Sequence, residues 1–236
     1  LETRLGHVLS HFGGRSREMQ ALHELLAQVE RGQGQVVGLV AEPGMGKSRL
    51  LYEFLRSLSG KEITYLAGHC LSYGSMMPYL PVLDMLRHHC DIVETDSPEA
   101  VVEKVRQWLH EIGLATDEGM AYLSQFLGVQ EGTTHLAALR SATIKAHTID
   151  LLCQMSLKHS TQQPVIIVME DLHWIDQSSE DFFMALVESL ASSAVLLLAT
   201  FRPGYQPPWM GKSYVTQIAL PRLSHADSLT VVHSIG

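Results

Sequence analysis

The sequence predicts an α/β protein in which a parallel sheet is covered by helices on both faces. Five short apolar runs are separated by segments with helical periodicity, a pattern typical of strands that are buried on both sides. The first run leads into a glycine-bearing turn that closes with Lys-Ser, and the third run ends in two acids. These observations predict a three-layer αβα sandwich with its functional groups at one edge of the sheet.

The first helix is predicted over residues 16–31, where apolar residues recur at helical spacing before Gly32. A second helix, 49–57, follows the first strand and the glycine-bearing turn. The apolar runs that predict strands are 36–40, 63–67, 165–169, 195–200 and 214–220.

The stretch 68–164, between the second and third strands, has no convincing strand pattern and is larger than a simple crossover requires. Helical periodicity is seen at 81–89, 98–110, 119–127 and 135–159. In the last segment one stripe is predicted to contain Leu136, Leu139, Thr143, Ala146, Ile149, Cys153 and Leu157. We therefore expect a helical insertion within a core of residues 12–222, preceded by a linker at 1–11.

Composition limits the function classes. The 236 residues are 46% hydrophobic with a formal net charge of −8, which argues against nucleic acid or an anionic membrane as a direct partner. Cys70, Cys90 and Cys153 are odd in number and widely spaced, as expected for reduced thiols.

The apolar runs are too short to span a bilayer and the N-terminus lacks a signal-peptide core, so we expect a soluble, cytoplasmic protein. The abrupt ends suggest a piece of a longer polypeptide.

Residues 41–48 read Ala-Glu-Pro-Gly-Met-Gly-Lys-Ser between a strand and a helix, the context of a phosphate-binding loop. Glycines let the backbone N–H groups approach phosphate oxygens at the positive end of the following helix. We expect Lys47 to reach the outer phosphates and Ser48 to ligate Mg²⁺. Ala41 stands where the pattern has its first glycine, and its methyl group is a mild steric intrusion. The predicted nucleotide contacts in this loop are Glu42, Pro43, Gly44, Met45, Gly46, Lys47, Ser48 and Arg49.

The third strand ends in Glu170 and Asp171. In nucleotide hydrolysis one carboxylate holds Mg²⁺ and the next orients or deprotonates the attacking water. We assign Glu170 to the metal and Asp171 to the water, although aspartate is commoner than glutamate at the first position. Two solvated acids at a strand end are the alternative.

The fourth strand ends at Thr200 and is followed by Phe201-Arg202-Pro203. Because the carboxyl ends of parallel strands share one edge, Thr200 and Arg202 should emerge beside the phosphates. Arg202 is a candidate γ-phosphate sensor, since a guanidinium makes paired hydrogen bonds to phosphate oxygens. An ordinary surface arginine is the alternative. His173 either contacts the groups around the two acids or has a packing role, and Trp174 either packs under the catalytic loop or fills the core. No pair of histidines shows zinc-protease spacing.

Four segments together resemble the motifs of AAA-type signal-transduction (STAND) P-loop ATPases: 12–18, 41–48, 170–176 and 198–203. Among these, the chain is most similar to modules that follow class III adenylyl/guanylyl cyclase domains and precede helical repeats. The resemblance implies a P-loop NTPase fold with strand order 5-1-4-3-2 and the start of a truncated helical lid at 223–236. It also implies that Phe12, Gly14 and Arg15 lie near the base and ribose.

The resemblance implies ATP and Mg²⁺ as cofactors and neighbouring domains of a larger chain as partners, and it is compatible with a nucleotide-dependent oligomer. Three functions fit these residues. The first is a signalling ATPase whose slow hydrolysis switches the packing of attached domains, with Lys47, Glu170, Asp171 and Arg202 as catalytic residues. The others are a nucleotide-binding interaction module without turnover and a small-molecule P-loop kinase.

Overall fold

The structure is a computed structural model that describes residues 13–72, 78–129, 133, 136 and 138–222. Its five strands form one parallel sheet with the order β2-β3-β4-β1-β5. This arrangement confirms the predicted order 5-1-4-3-2, counted from the opposite edge. The strands are β1 (Gln35–Val40), β2 (Thr64–His69), β3 (Val165–Glu170), β4 (Val195–Phe201) and β5 (Val215–Ala219).

The strand ends differ from the prediction where they position polar groups. β2 continues two residues beyond its predicted end and β3 one residue beyond, so that His69 lies in register with Glu170. β3 and β4 are buried along their whole length, whereas the edge strand β5 is only partly covered. The carboxyl ends of β3, β4 and β1 are neighbours along one edge of the sheet.

Two apolar cores cover the two faces of the sheet, because successive side chains of a strand point to opposite sides. Helices α1 (Ser16–Val29) and α2 (Lys47–Ser57) pack on one face, against Ile166 and Val168 of β3. Val165 and Ile167 face the other core, which contains the insertion helices and α7 (Gln177–Ser189). The helices on both faces confirm the predicted three-layer sandwich.

The predicted insertion between β2 and β3 contains four helices among the described residues. They are α3 (Leu80–His89), α4 (Pro98–Glu111), α5 (Asp117–Phe126) and α6 (Ser141–His159). Ser97 and Thr116 cap α4 and α5 by accepting hydrogen bonds from backbone N–H groups three residues later. These caps explain why both helices begin where the sequence changes from turn-like to periodic.

The predicted start of α6 at residue 135 is wrong. Arg140 is extended, with φ −69° and ψ 142°, and the helix begins after it. Leu139 is 40% exposed, although the predicted stripe contains it. The buried residues of this helix are Thr148, Leu152, Cys153, Met155 and Ser156, of which only Cys153 belongs to the predicted stripe. Polar residues lie on every side of this helix, so the periodicity of apolar residues does not identify its buried face.

Helix α7 is not among the predicted elements. Asp176 caps it and Glu180 lies in its first turn, a sequence signal that identifies a helix start after the acidic pair.

The three cysteines are free and buried, as expected. The predicted linker at 1–11, Phe12 and the predicted lid at 223–236 lie outside the described residues. Within the described ranges, no helix combines the length and apolarity needed to cross a membrane.

Candidate nucleotide-binding site

The loop between β1 and α2 has the backbone shape that a phosphate-binding turn requires. Gly44 and Gly46 have φ values of 77° and 88°, in the left-handed region that favours glycine. Gly46 is also the N-cap residue of α2, which begins at Lys47, so the amino end of that helix faces the turn. Ala41 is buried in the core beneath α1 and α2, and its N–H donates to the Phe201 carbonyl at 3.3 Å. The core accommodates its methyl group.

Lys47 lies folded over the start of this loop. Its Nζ donates to the carbonyl oxygens of Ala41 at 2.5 Å and Glu42 at 3.2 Å. Burial lowers the pKa of Lys47, and the positive charge of Arg202 lowers it further, while the carboxylates of Asp171 and Glu42 oppose this shift. The ammonium group is thus held by neutral carbonyls at the position where the loop would receive phosphate.

Glu170 is joined to two other elements at the carboxyl edge of the sheet. The Ser48 hydroxyl donates to Glu170 Oε2 at 2.9 Å, and His69 Nε2 lies 3.1 Å from Oε1. The Glu170 side chain is only 8% exposed. Residues from the phosphate loop, β2 and β3 therefore converge on one carboxylate. His69 was not predicted here, although its position at the end of the neighbouring strand is the signal that identifies it.

The donor set at this point fits Mg²⁺. The ion prefers oxygen ligands and is commonly held by one or two protein oxygens together with phosphate and water oxygens. The Ser48 hydroxyl and the Glu170 carboxylate are hard oxygen donors that already contact each other. Ser48 and Glu170 would hold the ion, which would supply positive charge to offset the charge of the phosphate oxygens.

Asp171 adopts a left-handed backbone conformation. Its φ is 59° and ψ 44°, which is uncommon for a residue with a side chain. Its N–H donates to the Thr200 hydroxyl at 2.9 Å, and Thr200 is buried at the end of β4. The side chain of Asp171 is 45% exposed. Thr200 thus fixes the turn that directs the Asp171 carboxylate away from the sheet; a direct contact of Thr200 with nucleotide stays a prediction.

His173, Trp174 and Arg202 surround the outer side of this turn. The Arg202 guanidinium carbon lies 6.0 Å from the centre of the Trp174 ring, at a distance where a cation–π attraction operates. His173 Nδ1 lies 4.0 Å from Asp171 Oδ1. Burial lowers the pKa of His173, the Asp171 carboxylate opposes this, and Arg202 and Lys47 lower it further. The imidazole is therefore neutral near pH 7 and lies within the same electrostatic cluster as the two cations.

Arg15 is buried behind the phosphate loop. Its guanidinium donates to the Met45 carbonyl at 3.1 Å and the Pro221 carbonyl at 2.7 Å, and pairs with Glu18 at 3.0 Å. Gly14, which precedes it, is exposed and has a φ of 76°. Arg15 thereby connects the start of α1, the phosphate loop and the segment after β5. The predicted contacts of Gly14 and Arg15 with the base or ribose stay predictions.

The other predicted loop residues are arranged around the turn. Glu42 and Pro43 are exposed, and Arg49 pairs with Glu53 one helical turn later at 2.6 Å. Their contacts with nucleotide stay predictions. Lys47, Ser48, Glu170, Asp171 and Arg202 are brought to the same edge of the sheet by β1, β3 and β4.

Comparison with known families decides the class of this site. The family model described as "AAA ATPase domain" matches residues 11–198, which include the phosphate loop and the acidic pair. The chain belongs to the AAA ATPase domain family. This AAA domain is therefore an ATP-binding P-loop NTPase domain, in agreement with the loop geometry.

A curated relative is an uncharacterized protein of Rhizobium meliloti (strain 1021), 28% identical over 230 residues. The match covers 91% of this chain but only 21% of the relative's length. A STAND protein with a tetratricopeptide repeat sensor from Pyrococcus horikoshii is similar in structure, with a TM-score of 0.45 and 14% identity over 96% of this chain and 26% of that one. Drosophila ORC bound to DNA gives a TM-score of 0.48 and 12% identity, over 97% and 47% of the respective chains.

Proposed function

We propose that this AAA domain is a regulatory ATPase module that binds Mg–ATP, hydrolyses it slowly and thereby changes how attached domains pack against it. The observation that carries the proposal is the convergence of Ser48 and His69 on the Glu170 carboxylate beside Lys47. ATP hydrolysis depends mainly on positioning and electrostatic stabilisation and little on covalent catalysis. These side chains supply the positioned charges. The family resemblance of the sequence to modules next to cyclase domains and helical repeats supports a role in a larger signalling chain.

The proposed roles follow from position. Lys47 leaves the loop carbonyls to bind the outer phosphates, and Ser48 and Glu170 hold Mg²⁺. Asp171, whose carboxylate is partly exposed at the same edge, orients the attacking water as a general base. Arg202 stabilises charge on the terminal phosphate. Slow turnover agrees with Glu170, because its side chain is longer than that of the commoner aspartate and is held by His69.

Nucleotide binding is tested with radiolabelled ATP. Replacing Lys47 with alanine removes the cation that faces the outer phosphates, so we expect an affinity loss of about tenfold or more. Lys158→Ala, an exposed lysine at the end of α6, is the matched control and should bind like the wild type. Equal retention of ATP by wild type and Lys47→Ala would contradict the assignment of the phosphate loop.

Hydrolysis is tested by phosphate release from the wild type and from Asp171→Asn. Asparagine tolerates the left-handed backbone at this position and keeps the side-chain shape, so binding should persist. Loss of a general base lowers turnover by roughly 10²–10⁴-fold in enzymes of known mechanism. If the wild type binds ATP tightly but releases no phosphate above background, occupancy alone is the signal and the hydrolytic part of the proposal is wrong.

A further inference from the structure

A cavity of about 450 Å³ lies at the end of the sheet opposite the nucleotide site. It is bounded by the last turns of α2, the turn at 58–61 and the first residues of β2 and β3. Small-molecule sites commonly occupy about 300–1,000 Å³. Ile166, which lines the cavity, lies four positions before Glu170 on β3, roughly 13 Å away at the rise of a strand. It is therefore distinct from the nucleotide site.

The cavity wall combines an apolar body with aromatic rings. Leu55, Leu58 and Ile166 provide aliphatic surface, and Tyr52 and Tyr65 provide two rings. Ile166 is fully buried in the core beneath α2, so the floor of the cavity is rigid β-sheet. Such a wall removes apolar ligand surface from water, which favours a ligand with a hydrocarbon or aromatic body.

The rim carries positive charge. Arg56 and Lys61 line the cavity, and none of the described lining residues is acidic. Lys61 is paired with Glu30 at 2.7 Å, whereas the nearest carboxylate oxygen to the Arg56 guanidinium, on Glu53, lies 3.9 Å away. Glu53 makes its shorter ion pair, 2.6 Å, with Arg49. The charge of Arg56 is thus the less neutralised of the two and is available to an anion.

We propose that this cavity is a second binding site, which takes a small organic anion with an apolar body, such as an aromatic carboxylate or sulfonate. The apolar body packs against Leu55, Leu58 and the tyrosine rings. The anionic group pairs with Arg56 at the rim.

The test uses anilinonaphthalene sulfonate, an aromatic anion whose fluorescence rises in apolar surroundings, titrated into the 236-residue chain. We expect saturable binding of one probe per chain. Arg56→Gln should weaken this binding about tenfold by removing a charge-assisted hydrogen bond. Arg31→Gln makes the same change of charge at an exposed position that does not line the cavity and should leave binding unchanged. Retained ATP binding shows that both variants are folded.

A neutral analogue distinguishes binding through the anionic group from binding to apolar surface alone. Phenylnaphthylamine has a similar apolar body without the sulfonate, so it should bind more weakly and should not respond to Arg56→Gln. Ser59→Trp, at an exposed position in the cavity wall, should block both probes. Equal binding of the two probes, or equal binding by wild type and Arg56→Gln, overturns the anion site. Failure of both probes to bind the wild type favours a macromolecular occupant and also overturns the proposal.

Discussion

Arg15 shows at the scale of one residue how the site depends on distant parts of the chain. Its guanidinium donates to the Met45 carbonyl in the phosphate loop. It also donates to the carbonyl of Pro221, which follows β5 and lies 206 residues further along the chain. A guanidinium is suited to this task because its planar donors reach several acceptors at once, which a lysine ammonium does not reproduce. Arg15 thus fixes the loop from behind.

We expect Arg15→Ala to lower the free energy of unfolding by about 2–4 kcal/mol, since hydrogen bonds to charged groups are worth about 1.5–3 kcal/mol each and two carbonyls lose their donor. Nucleotide affinity should fall as well, because Met45 belongs to the loop. Arg15→Lys should recover only part of the loss. Urea unfolding and ATP binding measure both effects.

Arg17→Ala is the matched control, because Arg17 is exposed on the same helix. If Arg15→Ala and Arg17→Ala were equally stable and bound ATP equally well, Arg15 would not support the loop.

At the scale of elements, Asp176 joins the acidic turn to the insertion. Its carboxylate caps α7 by accepting from the Ser179 N–H at 2.9 Å and the Ser179 hydroxyl at 2.5 Å. It also accepts from the N–H of Tyr79, the residue before α3, at 3.2 Å. Two helices that are distant in sequence therefore share one carboxylate, five residues after Asp171.

Asp176→Ala should destabilise the domain by more than the typical cost of a lost cap, about 1 kcal/mol, because the Tyr79 N–H loses its partner as well. Hydrogen exchange should accelerate at the starts of both α3 and α7. Asp176→Asn keeps an acceptor and should be mild. Thr116→Ala removes the cap of α5 alone and serves as the control. Exchange that accelerates in α7 but not in α3 would disprove the connection.

At the scale of the whole molecule, histidines lie where the insertion meets the sheet. The ring of His89 on α3 contacts Trp108 of α4 and His159 of α6, with ring centres 4.5 and 5.4 Å apart. His159 Nε2 lies 2.6 Å from the Thr64 hydroxyl at the start of β2. Burial, together with the neighbouring His159 and His88, lowers the pKa of His89 to about 4. Burial also lowers the pKa of His159, which the Glu111 carboxylate opposes.

This cluster predicts a loss of stability in acid. Between pH 6.5 and 4 an unfolded histidine binds a proton that buried His89 does not, so the free energy of unfolding falls as the pH falls through this window. One proton difference contributes at most about 1.4 kcal/mol per pH unit, and partial solvent access to His89 reduces this. Urea unfolding at several pH values measures the slope.

His89→Phe should flatten this slope, and His110→Gln, at an exposed position of α4, should retain it. An unchanged slope in His89→Phe would assign the acid sensitivity to other groups.

Sequence patterns predict the sheet and the edge at which Lys47, Ser48 and Glu170 meet, because strand burial and the phosphate loop are local signals. The strand order is implied only by the family resemblance. The contact between His69 and Glu170 depends on β2 extending two residues further, a boundary that apolar runs do not define. The acceptors of Arg15 arise from packing across the chain. The start of α6 depends on the extended conformation of Arg140, which periodicity does not detect.

The left-handed backbone at Asp171 restricts which residues can replace it. Glycine, asparagine and aspartate adopt this conformation at low cost, whereas β-branched residues do not. With Asp171 as the proposed base, the substitutions that the fold tolerates best are therefore the same ones that abolish hydrolysis. A single change to asparagine would turn a switch that resets itself by turnover into one that resets only when nucleotide dissociates, without disturbing the fold.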